Sequence, residues 1–175
     1  MTQASPVPPI TALMDVMGFT ATDLEANQQG NLSVAQADKL KKTRLRNTII
    51  GGVLFFVFVI VATIMIFLGQ QNERVILSLV GAVLTVTNAM MIGMIGRSYL
   101  RTSIDLRDGN VEMLEGELER IVRPGRQQDS YLLRIDGKSL YVTKDVFIQF
   151  RHETPYRLYR SRISGILLSA EPLAG

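Results

Sequence analysis

A membrane-spanning helical hairpin followed by a small all-β module is the fold class this sequence predicts, and three observations predict it. Residues 48–68 and 75–96 form two apolar runs without a charged residue, lysine and arginine gather on the outer flanks of these runs, and beyond residue 110 the apolar period becomes two. Composition sets the frame. Of 175 residues, 47% are hydrophobic and 20% charged, which is too apolar for a disordered chain. With no cysteine, a disulfide framework, a thiolate nucleophile and a cysteine-bound zinc or iron–sulfur centre are excluded. A net charge of +3 is too small for bulk charge to imply nucleic-acid binding.

The first segment, 1–47, reads as short helices. Residues 1–9 are polar and proline-rich, which predicts a mobile start. Ile10, Leu13, Met14 and Met17 then fall at helical spacing, and Gly18 ends that helix. Thr22 with Glu25 predicts a capping box for a second helix that Gly30 closes. Ser33 with Gln36 predicts another box, opening a helix from Val34 through a basic cluster into the first apolar run. These helices are expected to lie against the membrane or against the C-terminal module.

The second segment, 48–100, reads as the hairpin. A helix over 48–68 is about 31 Å long, the thickness of a hydrocarbon core, and 75–96 is as long. Lipid offers no partner to a free backbone group, so both runs must be helices. The polar link 69–74 allows only a tight turn and makes them antiparallel. Lys39, Lys41, Lys42, Arg44 and Arg46 precede the hairpin and Arg97, Arg101 and Arg107 follow it, whereas the link holds only Arg74, offset by Glu73. That asymmetry predicts a multi-pass membrane protein with both termini cytoplasmic. A signal peptide is not expected, because the first run is too long and too far from the N-terminus. The same five basic residues are candidate contacts for anionic lipid headgroups.

Inside the second run Gly81, Thr85, Ala89 and Gly93 recur every four residues, a strip of small side chains on which another helix can pack closely. The partner is the first helix, a second copy of the chain, or a pore lining. Asn88 is the strongly polar residue deep in the run, expected to bond a neighbouring backbone. Neither run contains an acidic or basic residue, which argues against a proton relay or a carrier of charged substrates.

The third segment, 101–175, reads as β. Leu114, Gly116 and Leu118 alternate with Glu115, Glu117 and Glu119, a strand with one acidic face and a glycine suggesting a bulge or a close backbone approach. After a turn-rich loop at 123–129, strands at 130–136 and 139–142 flank Asp136-Gly137, a hairpin signal. A short helix is expected over 143–150, then strands at 156–160 and 165–171. Five short strands hide their edges by curling, so a five-stranded barrel is expected, OB-like from the helix after strand three, with SH3-like as the alternative.

The search for chemistry is brief. His152 is the sole histidine and has no patterned partner, so neither a metal site nor a catalytic base is predicted, and no cofactor-binding motif occurs. Glu112, Glu115, Glu117 and Glu119 read as solvated charges. Arg151, Arg157, Arg160 and Arg162 stand near Tyr156 and Tyr159, but strand periodicity splits them between two faces, so cross-strand Glu–Arg pairing is expected rather than a nucleic-acid surface.

The stretches DLEANQQGNLS at 23–33 and PYRLYRSRISGILLSAE at 155–171 resemble segments of small bacterial membrane proteins with two transmembrane helices. That resemblance implies architecture, a prokaryotic origin and with it the bacterial inner membrane, and no chemistry. The chain is more loosely similar to stomatin-partner membrane proteins, which implies a cytoplasmic OB-like tail. The glycine- and alanine-rich second run leading into a β-domain also resembles small-conductance mechanosensitive channels. The function expected is a non-enzymatic adaptor or accessory subunit without a cofactor, whose partners are membrane lipid and a protein or its own copies. A small homo-oligomeric pore and an anionic-lipid-binding membrane organiser are the alternatives.

Overall fold

The computed structural model describes residues 10–125 and 129–173, so the proline-rich start and residues 126–128 of the expected loop lie outside the described residues. The chain divides into two compact units, Met1–Asp38 with Arg107–Gly175, and Lys39–Leu106. The first and last segments, drawn apart from the sequence, thus share one unit, and the hairpin is inserted between its two parts.

In the first unit, helix α1 (Ile10–Met17) ends at Gly18, whose φ of +65° is the left-handed conformation that a glycine adopts without strain. The N–H groups of Gly18 and Phe19 both donate to the Met14 carbonyl, closing the turn. Helix α2 (Ala21–Gln28) is capped two residues earlier than expected: Thr20, not Thr22, is the N-cap, and Asp23, not Glu25, completes the box. The Asp23 N–H donates to Thr20 Oγ1 at 3.2 Å and the Thr20 N–H to Asp23 Oδ2 at 2.9 Å. Thr-x-x-Asp carries the same reciprocal logic with a shorter acid. Helix α3 (Val34–Gln71) opens with the Ser33–Gln36 box as expected, Gln36 N–H donating to Ser33 Oγ at 3.1 Å.

The C-terminal part supplies β1 (Val111–Arg123), β2 (Ser130–Ile135), β3 (Lys138–Val142), helix α5 (Lys144–Gln149), β4 (Thr154–Ser161) and β5 (Leu167–Pro172). All five expected strands and the helix after the third are present. Asp136 and Gly137 both have positive φ, +49° and +68°, as a two-residue type I′ hairpin requires. The strands form one antiparallel sheet in the order β3-β2-β1-β4-β5. Strand β1 pairs with β4 along 111–118 and with β2 along 119–123. The bulge expected at Gly116 is not there, since its register opposite Tyr156 is unbroken; the irregularity falls at Tyr159/Arg160 on β4. The sheet is open rather than a closed barrel, because β3 and β5 are not paired with each other among the described residues.

One core unites the two parts. Leu13, Phe19 and Leu24 of the N-terminal segment are buried with Leu114, Leu118, Leu133, Leu158 and the rings of Phe147, Phe150, Tyr156 and Tyr159. Of the two places expected for the N-terminal helices, α1 and α2 therefore occupy the one against the C-terminal module, α1 on β5 and α5, and α2 on β5.

In the second unit, α3 and α4 (Val75–Asp108) run antiparallel, and both are long and apolar enough to span a membrane. Only 11% of the most apolar window of each helix is buried, which is the opposite of a soluble core helix. The link shrinks to Asn72–Arg74, because α3 continues through Gly69. A Cβ at Gly69 would collide with Ser78, including its backbone N, so glycine permits the close crossing that makes the turn tight.

Candidate functional site

The hairpin seam follows a seven-residue repeat. On α4 the more buried positions are Gly81, Leu84, Asn88, Met91 and Ile95, and on α3 they include Gly51, Phe55, Ala62, Met65 and Gly69. Alternating steps of three and four keep a seam facing one partner. The strip expected at Gly81, Thr85, Ala89 and Gly93 does not form the contact. Each step of four turns the position by about 40° around the helix, so by Gly93 the strip has rotated about 120° away. Only Gly81 is buried: a Cβ there would lie 3.0 Å from the Ala62 carbonyl oxygen and 3.1 Å from the Ile66 nitrogen. Thr85 and Ala89 are exposed, Thr85 returning its hydroxyl to the Gly81 carbonyl at 2.9 Å, and a Cβ at Gly93 would meet nothing within 4 Å.

Asn88 is 5% exposed on the seam, with Nδ2 3.4 Å from the Phe55 carbonyl oxygen, the backbone partner expected of it. Its Oδ1 has no hydrogen-bond partner among the described residues.

The five basic residues before the first apolar run do not act as one cluster. At about 100° per residue, Lys39, Lys42 and Arg46 fall within about 60° of one another, while Lys41 and Arg44 lie on the opposite side. Arg44 is committed to α4, its guanidinium 4.8 Å from the centre of the Tyr99 ring and donating to Ser103 Oγ at 2.9 Å. Lys41 is exposed. Lys39, Lys42 and Arg46 line a groove of about 440 Å³ whose other walls are Thr43, Leu45, Ile49 and Ile50.

The β unit confirms the cross-strand reading of its charges. Glu115 faces Arg157 in register and accepts from it at 2.7 Å; Glu112 faces Arg160 and accepts at 2.7 Å; Glu119 faces Arg134 at 3.4 Å. Glu171 on β5 accepts from Arg157 at 3.1 Å and from the Tyr159 hydroxyl at 2.8 Å. Tyr156 and Tyr159 are buried, so they offer no stacking platform to a base. Burial, then the Glu171 hydrogen bond, pushes the Tyr159 phenol up to about 12. His152 is exposed, and its Nδ1 accepts the Arg120 N–H at 3.0 Å, which ties the β4 approach to β1. No group of three or more His, Cys, Asp or Glu side chains that could hold a metal ion occurs among the described residues.

Lys138 and Arg160 both donate to Glu112, and the Lys138 hydrogen bond is the chief reason that its carboxyl titrates below the ordinary carboxylate value of 4.5. A carboxyl depressed in the folded state stabilises the fold above its unfolded pKa, and that contribution is lost as pH falls through the folded value. The β unit is therefore expected to lose stability as the pH falls below about 4.5. Glu112→Gln, which costs about 1 kcal/mol or less at neutral pH for a partly exposed cluster, should flatten that acid slope. Urea unfolding of wild type and variant at pH 7, 5 and 3 measures it; parallel slopes would show that Glu112 plays no part.

A polar network missed in the sequence lies beneath β5. Asn27, 1% exposed, donates from Nδ2 to Gln36 Oε1 at 2.9 Å and to the Asn31 carbonyl at 3.0 Å. Its Oδ1 accepts from Gln36 Nε2 at 3.0 Å and from Ser169 Oγ at 2.6 Å. Ser33 Oγ donates to Asp23 Oδ1 beside it. The DLEANQQGNLS stretch is thus a fastening for β5, and every Asn27 amide atom is satisfied.

The open side of the sheet forms a further concavity. A groove of about 610 Å³ lies between β3 and the β4–β5 turn, lined by Val16 and Met17 of α1, Leu140 and Val142 of β3, and Ile166 and Leu167. Comparison of the chain with protein-family models, with curated proteins and with solved structures finds no match.

Proposed function

We propose that this protein is a non-enzymatic membrane adaptor, in which a helical hairpin anchors a small β unit that binds an extended segment of a partner protein. The observation that carries this reading is the groove between two sheet edges. Strands β3 and β5 each have one strand neighbour among the described residues, so each has a side free of strand pairing beside a channel whose lining mixes apolar side chains with Ser139, Thr143, Arg160 and Ser164. An added strand would gain main-chain hydrogen bonds there and place alternate side chains in the channel. Both edges are short, five and six residues, and carry Lys138 and Pro172, features that keep free edges from pairing indiscriminately.

Several features support the setting. Residues 10–38 and 107–173 share a core, so a hairpin inserted between them returns the chain to the side of the membrane it left. The basic flanks support the cytoplasm as that side. The strand order, with α5 between β3 and β4, favours an OB-like over an SH3-like arrangement of the unit. The full chain, extracted into nanodiscs with its native partners, is expected to carry a second protein. The amides of 138–142 and 167–172 should then exchange more slowly in that complex than in the isolated chain. A complex of this chain alone, or edge amides that exchange at the same rate in both, would overturn the reading.

Self-association through the hairpin, including a pore, is the second reading. It is favoured by Gly52, Gly93 and Gly96, where an added Cβ meets nothing within 4 Å, and by the apolar groove of about 470 Å³ that Gly51, Gly52 and Gly96 help to line.

A further inference from the structure

We propose that α3 carries a binding site for one anionic phospholipid, in the groove formed by Lys39, Lys42, Arg46, Leu45, Ile49 and Ile50. The inference rests on the membrane reading of the hairpin and goes beyond it, because a topology signal needs only positive charge whereas this groove has a shape and two chemically distinct ends. At its upper end Lys42 and Arg46 stand one turn apart on one side of the helix, able to converge on a single phosphate, with Lys39 on the same side. Its lower end is aliphatic. Ile49 and Ile50 are more than half exposed, and the same face continues down the helix through Val53, Val57 and Ile60, each at least 50% exposed. Lys42 and Ile49 are about 10 Å apart along the helix axis, the step from a headgroup phosphate to the first part of an acyl chain.

The partition of the basic residues strengthens the assignment. Arg44 is taken by Tyr99 and Ser103, so it braces the hairpin instead of facing the groove. Charge complementarity selects an anionic headgroup, and the unbroken aliphatic stripe selects a lipid over a free anion. Phosphate oxygens would accept from the Lys42 ammonium and the Arg46 guanidinium, with the chain lying over Ile49, Ile50 and Val53.

The test uses the full chain reconstituted in phosphatidylcholine nanodiscs containing a minor fraction of phosphatidylglycerol, then released into mild detergent for native mass spectrometry. Wild type is expected to retain one phosphatidylglycerol in preference to phosphatidylcholine, and millimolar inorganic phosphate should not displace it. Lys42→Gln with Arg46→Gln should lower that retention about tenfold. Arg97→Gln with Arg101→Gln, which removes the same charge from the other helix, should leave it within about twofold. Equal losses in the two double variants would show diffuse attraction and overturn the site, as would displacement by inorganic phosphate or retention of both lipids alike. A chain that alkaline carbonate strips from native membranes would remove the membrane reading itself, a result distinct from an integrated chain lacking lipid preference.

Discussion

Replacement of Leu13 by alanine is expected to destabilise the β unit by about 2–5 kcal/mol, although residue 13 lies about 100 positions before the first strand. Leu13 is 0% exposed and shares its surroundings with side chains of the sheet, so truncation leaves a cavity that strands fixed by ladder hydrogen bonds cannot collapse to fill. Val16, one turn further on α1 and 37% exposed, is the internal control: Val16→Ala should cost about 0.5 kcal/mol or less. Chemical unfolding of the full chain, followed by the near-ultraviolet signal of the tyrosines, reads both. Four of these, Tyr131, Tyr141, Tyr156 and Tyr159, lie on the β strands. Similar small losses for the two variants would mean that α1 rests on the unit without completing it.

Gly81→Leu should disrupt the hairpin by about 3 kcal/mol, whereas Gly93→Leu should change its stability by less than about 0.5 kcal/mol. The contrast is informative because both glycines belong to the same four-residue strip in the sequence. At Gly81 even a methyl would press on the Ala62 carbonyl and the Ile66 nitrogen, backbone atoms that give way only by moving α3 as a whole. At Gly93 the side chain enters open space. Reversible unfolding in bicelles compares the two, and equal effects would refute the seam described above. Native mass adds a second readout: if Gly93→Leu reduces an oligomer while leaving the hairpin intact, copies of the chain meet on that face.

Local chemistry was legible in the sequence and non-local pairing was not. Two helices of spanning length, the Asp136-Gly137 turn, the Ser33–Gln36 cap and the helix after β3 each follow from a few neighbouring residues. The Glu–Arg pairs were readable as a type, because an acidic strand face beside an arginine-rich strand has one economical solution. The hairpin seam was not legible, since a spacing of four and a spacing of seven both look periodic over three turns and only the second stays on one side of the helix. The fastening of β5 by Asn27, Gln36 and Ser169 was invisible: polar residues 142 positions apart give no periodic signal until the fold brings them together. The open sheet was missed for a related reason, because the α1 residues beside its gap belong to a segment that pattern alone assigns to another part of the chain.

The division of one core between both ends of the chain sets a schedule for its birth. A ribosome releases Leu13 about 145 residues before Leu158, an interval of roughly ten seconds or more. During that time the hairpin residues have already emerged, while Leu13, Phe19 and Leu24 still lack the sheet that shelters them. Maturation of the β unit is therefore the last event after translation, and a nascent chain stalled before residue 150 would expose a greasy leading end to chaperones and proteases.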